Sequence, residues 1–148
     1  MNYNKLKENY ETLTNNGYYN KGAYSIANAI GLKMKILDCE YKEGHFNDNV
    51  WRYVFKIRLS KGGKRYTFEF GQSIAEGSNE PTLYDVLTCL QKYDVGTFED
   101  FCDIFGYNLD SILERKKAKT IYKAVVKEFQ AMERLFDSEE LEVLQLIN

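Results

Sequence analysis

Cysteine, histidine and proline are all scarce in this chain, and each scarcity removes a class of protein. The three cysteines, Cys39, Cys89 and Cys102, are too few and too unevenly spaced for a disulfide framework and fit reduced thiols. The one histidine, His45, has no serine or cysteine partner fixed by local sequence. No phosphate-cradling glycine loop, nucleophile elbow or HExxH helix occurs; Lys61-Gly62-Gly63-Lys64 is a turn without the glycine spacing or helix start of a phosphate site. A protein without catalytic machinery is therefore expected. The one proline, Pro81, lies in a loop, and no linker, repeat or low-complexity tract divides the sequence. Apolar runs stay far shorter than a membrane span, and MNYNKLKENYETL is charged and polar, unlike a signal sequence. A soluble cytoplasmic protein with no membrane partner is expected.

What the chain does have is apolar and aromatic content. Hydrophobic residues make up 44% of its 148 positions and aromatics 15%, enough for a packed interior in a single domain spanning residues 1–148. The stretch from Val50 to Gly71 organises it. Trp51, Tyr53, Phe55, Ile57 and Leu59 alternate with Arg52, Val54, Lys56 and Arg58 at the period of a strand. After Ser60 to Gly63 the alternation resumes with Tyr66, Phe68 and Phe70 against Arg65, Thr67 and Glu69. The apolar side of this hairpin holds eight large side chains, each stabilised by roughly 1.5–3 kcal/mol when fully buried, so other segments must cover it.

A short helix is read over residues 3–14 and another over 23–30, closed by Gly31. Residues 34–41 read as a third strand, with Leu37, Cys39 and Tyr41 on one side and Ile36, Asp38 and Glu40 on the other. Beyond Gln72 the period changes to that of helices. Thr82 with Asp85, Thr97 with Asp100, and Ser111 with Glu114 mark three N-termini. Leu83, Val86, Leu87 and Leu90 form the first buried stripe, and Phe98, Phe101, Cys102 and Phe105 the second. The third helix runs to about Phe136 with Ala118, Ile121, Tyr122, Val125, Phe129 and Met132 inward, and a last one starts at Asp137 or Ser138. The fold class is α+β: an antiparallel sheet of at least three strands (about 34–41, 50–59 and 64–71), flanked by N-terminal helices and covered by C-terminal ones.

Net charge is only −2, but it is segregated along the chain. Residues 50–71 carry +5, 72–110 carry −7, and 111–136 carry +4. Two basic patches result. One comprises Arg52, Lys56, Arg58, Lys64 and Arg65 of the hairpin; the other is Lys116, Lys119, Lys123 and Lys127 on the outer face of the long helix. Like charges at helical i, i+4 spacing cost a few tenths of a kcal/mol per pair, which neighbouring acids or a bound polyanion must offset. The twelve tyrosines exceed what a core of this size requires, and Tyr18, Tyr19 and Tyr24 are candidates for a protein interface. Cys39, His45, Cys89 and Cys102 equal the ligand number of a tetrahedral zinc site, but they lack the close pairs such a site uses, so no cofactor is expected beyond this weak zinc candidate.

The segment PTLYDVLTCLQKYDVGTFEDFCDIFGYNLDS, followed by KAKTIYKAVVKEFQAMERLF, resembles a family of small bacteriophage and prophage proteins without assigned enzymatic activity. The resemblance covers about Trp51 to Phe136 and is densest at Tyr84 to Leu87, Thr97 to Cys102 and Phe105 to Tyr107; ILERKK after Ser111 departs from the family's shorter spacing. It implies stoichiometric binding rather than catalysis. The expected partner is a host protein or ribonucleoprotein, a CRISPR effector among them, which would make the chain an anti-CRISPR inhibitor that blocks target DNA loading. Direct nucleic-acid binding through the basic helix face is the alternative.

Overall fold

The computed structural model describes residues 2–45, 49–73, 80–92 and 96–147, with the side chains of 72, 73 and 89–92 left out. Among the described residues the order is α1 (Tyr3–Asn15), α2 (Tyr19–Ile30), β1 (Lys33–Glu43), β2 (Trp51–Lys61), β3 (Lys64–Ser73), α3 (Leu83–Lys92), α4 (Phe98–Phe105), α5 (Ile112–Glu133) and α6 (Ser138–Leu144). The strands form one antiparallel sheet in the order β1-β2-β3. Gly62 and Gly63, both at positive φ (53° and 83°), make the two-residue β2–β3 turn, a backbone other residues adopt at a cost. β2 therefore runs on to Lys61, closer to the turn than the expected end at residue 59, while β3 starts at Lys64 as expected.

Helix starts follow the polar signals in the sequence. Thr82 and Asp85 bond reciprocally, Asp85 N–H to the Thr82 hydroxyl at 3.2 Å and Thr82 N–H to the Asp85 carboxylate at 2.9 Å. Thr97 and Ser111 each accept the backbone N–H three residues on, and Asp137 with Glu140 closes a full capping box. These bonds satisfy backbone donors that the first helical turn leaves without partners.

Two buried clusters result. The larger joins Phe55, Ile57, Leu59 and Phe68 of the sheet to Ile26, Ala27 and Ile30 of α2, Leu83, Val86 and Leu87 of α3, Met132 at the end of α5, and Val143 and Leu144 of α6. N-terminal helices thus share the cover of the apolar sheet face with C-terminal ones. The smaller cluster sets Phe101 and Cys102 of α4 against Ala118, Ile121, Tyr122 and Val125 of α5. The inward stripe expected on the long helix is present, but it serves both clusters. At about 1.5 Å per residue, α5 is roughly 33 Å long, and its N-terminal part with α4 forms an arm.

One sequence expectation is corrected in β1. Ile36 pairs with Ile57 and Asp38 with Lys56, so Leu37 is the extra residue of a β-bulge. Ile36 therefore shares the core side with Cys39 and Tyr41, and Leu37 is left exposed. An unbroken two-residue alternation put Ile36 on the wrong side. Trp51 is a second departure. It lies on the apolar side of β2 yet keeps 46% of its surface exposed, and the Tyr41 ring lies tilted against it at 5.3 Å and against Tyr53 at 4.7 Å.

Candidate interaction surface

Most residues on the other side of the sheet are solvent-exposed, Val54 being buried, and strand pairing fixes what that side displays. Directly opposed residues on antiparallel strands share a face. Reading across the three strands, the rows are Lys33–Ser60–Arg65, Lys35–Arg58–Thr67, Asp38–Lys56–Glu69, Glu40–Val54–Gly71 and Lys42–Arg52–Ser73. Lys33, Lys35, Asp38, Glu40, Lys56, Arg65, Thr67 and Glu69 are exposed, while Arg52 and Arg58 are half-buried. Seven cations share this face with three carboxylates, so the polar face is net positive.

Charge is graded along it. In the central row Lys56 lies between Asp38 and Glu69. Glu69 also accepts from Lys42 at 3.5 Å and faces His45 Nδ1 at 3.4 Å. His45 folds back onto the strand so closely that a Cβ on Gly71 would come within 2.7 Å of its ring, which is why glycine occupies that position. Towards the β2–β3 turn the compensation stops. Lys33, Lys35, Arg58 and Arg65 occupy two adjacent rows with no carboxylate in register, and Lys35 stands directly opposite Arg58. Like charges in opposed positions are unfavourable in a sheet.

Of the hairpin cations singled out from the sequence, Arg52, Lys56, Arg58 and Arg65 share this face. Lys64 does not: it lies on the core side and its ammonium reaches the Arg134 carbonyl at 3.5 Å. Lys33 and Lys35 were missed because the bulge at Leu37 breaks the alternation that would have placed them, and Lys42 because β1 runs on to Glu43, past the strand end expected at residue 41. The strand tyrosines Tyr41, Tyr53 and Tyr66 all fall on the opposite side, so no strand aromatic ring stands beside these cations.

The second basic patch is also exposed: Lys116, Lys119, Lys123 and Lys127 line the outer face of α5. Glu128 lies near the β3 edge of the sheet. Desolvation raises its carboxyl pKa, the Glu69 carboxylate adding to the effect, and burial with the Glu128 charge pushes the Tyr66 phenol up to about 12. Tyr18, Tyr19 and Tyr24 are all about half exposed; Lys21 sits 4.8 Å over the Tyr18 ring and Tyr19 packs 5.2 Å from Tyr84.

Of the candidate zinc ligands, the three whose side chains are described do not form one group. Cys39 is exposed on β1, Cys102 is buried in the arm, His45 lies over β3, and the Cys89 side chain falls outside the described residues. Among the described residues no group of three or more His, Cys, Asp or Glu is placed to hold a metal ion. Desolvation, then neighbouring carboxylates, raises both thiols, Asp38 and Glu80 acting on Cys39 and Glu99 on Cys102, the latter partly opposed by Arg115; this disfavours the thiolate that a metal requires. No helix among the described residues is long and apolar enough to cross a membrane.

No family model, curated protein or solved structure matches the chain. The surface must be interpreted from its own chemistry.

Proposed function

We propose that this is a non-enzymatic binding protein that docks the polar face of its sheet on a host macromolecule. Following the resemblance to small bacteriophage proteins, we propose further that the target is a CRISPR effector in the host cytoplasm and that docking keeps target DNA from loading. The observation that carries the reading is the cluster Lys33, Lys35, Arg58 and Arg65, with no carboxylate in register, at the β2–β3 turn end of the sheet. Lys35 and Arg58 stay opposed at a cost that a bound carboxylate or phosphate removes. With no strand aromatic beside them, these cations suit an acidic protein surface or a phosphate backbone rather than stacked bases.

The test compares the wild-type chain with a Lys35→Glu, Arg65→Glu double variant, both positions being exposed, in DNA-cleavage assays with a panel of guide-loaded CRISPR effectors. Wild type abolishes cleavage by at least one effector, and the double variant restores it. A second reading, direct binding of nucleic acid, is favoured by the exposed row Lys116, Lys119, Lys123 and Lys127. In that case the wild type binds duplex or single-stranded DNA without any effector, with affinity falling steeply as salt rises.

A further inference from the structure

The most anomalous surface in the molecule is the far end of the arm. Ile112 and Leu113, the first two residues of α5, are 85% and 82% exposed, and Ile104 and Phe105, which end α4, are 58% and 44% exposed. Large apolar side chains left this open on a monomer usually mark a contact surface. The arm beneath them is well ordered by its own packing. Phe101 lies 4.8 Å from Phe105, 5.4 Å from Tyr122 and 5.8 Å from Tyr107, and the Tyr122 hydroxyl donates to the Gly96 carbonyl at 2.6 Å. The tip is therefore held in place before any partner arrives.

Charge around this tip changes sign at a single peptide bond. From Gly96 to Glu114 every ionisable carboxylate or cation is acidic, with Asp103, Asp110 and Glu114 nearest the tip; from Arg115 to Lys127 every one is basic, beginning with Arg115, Lys116 and Lys119. Among the described residues no ion pair links the acidic segment to the basic one. Such a surface is complementary to itself. A twofold axis through the apolar tip brings the acids of one copy against the bases of the other, as an isologous contact requires. An anionic bilayer would meet the same carboxylates as repulsion, so a second copy is the better match.

We infer that the α4–α5 arm is a homodimerisation element, with Ile104, Phe105, Ile112 and Leu113 at the centre of the contact and Asp110 of each copy facing Lys116 of the other. The sheet face stays free in such a dimer, so this inference stands or falls separately from the proposed docking surface. Sedimentation of the full chain across a concentration series reads it directly. Wild type approaches twice the 17.3 kDa chain mass, and Leu113→Asp, at an exposed position, weakens association roughly tenfold or more while the far-ultraviolet circular dichroism spectrum is unchanged. Lys116→Glu also weakens association, and adding Asp110→Lys restores it. A single 17.3 kDa species at the highest concentration, a dimer indifferent to Leu113→Asp, or a monomer that instead pellets with phosphatidylserine vesicles overturns the inference.

Discussion

Single residues show where the fold has no slack. Gly22 on α2 is buried against α1, and a Cβ there would stand 3.0 Å from the Tyr10 ring and 3.2 Å from Thr14 Cγ2. Alanine normally gains about 1 kcal/mol over glycine inside a helix. Here Tyr10 is itself buried and cannot withdraw, so overpacking wins and Gly22→Ala lowers stability by about 1–3 kcal/mol in a denaturant titration. Glu128 shows the opposite sign. Its carboxyl is raised in the folded state, so the folded chain holds a proton that the unfolded chain has released, and stability falls as pH rises from about 4.3 through the raised value. Glu128→Gln therefore raises the melting temperature at pH 7, and the gain disappears near pH 4. A gain that persists unchanged at low pH would show that the carboxylate is not the cause.

At the scale of elements, the ends of helices were the most legible features and strand register the least. Thr82, Thr97 and Ser111 each cap the helix that their spacing to Asp85, Asp100 and Glu114 announces, because capping is decided within four residues, and Asp137 caps the last helix, whose start the sequence left between Asp137 and Ser138. The hairpin was equally plain from Gly62-Gly63 and the flanking alternation. Leu37 was not, since a bulge depends on how β2 pairs and leaves no local mark. That one residue hid Lys33 and Lys35 from the basic face. Likewise the α5 stripe was read correctly, but not that Ile112 and Leu113, ahead of Ala118, would have no cover. The shortest helix is fixed by a non-local contact. Glu140 accepts from Asp137 N–H at 2.9 Å with one oxygen and from Lys61 at 2.7 Å with the other, and is itself 8% exposed. Glu140→Ala leaves Lys61 without its carboxylate and opens the cap, with an expected loss of roughly 1.5–3 kcal/mol that chemical denaturation measures. Lys61→Ala should cost less, because the capping bonds survive.

At the scale of the molecule, one sheet separates two kinds of surface. Its apolar side is covered by helices from both ends of the chain except around Tyr41 and Trp51, and its polar side carries seven cations against three acids with the excess gathered near the β2–β3 turn. A net charge of −2 conceals this, since the acids lie mainly in residues 72–110 and 137–148. Segregated charge was visible in the sequence; which cations stand together became visible only through strand pairing. The most direct test is target-DNA cleavage by guide-loaded CRISPR effectors in the presence of the wild-type chain or the Lys35→Glu, Arg65→Glu variant. Inhibition by wild type that the folded variant has lost is the predicted result. Full cleavage with both proteins across the panel, or equal inhibition by both, contradicts the docking role of the sheet face.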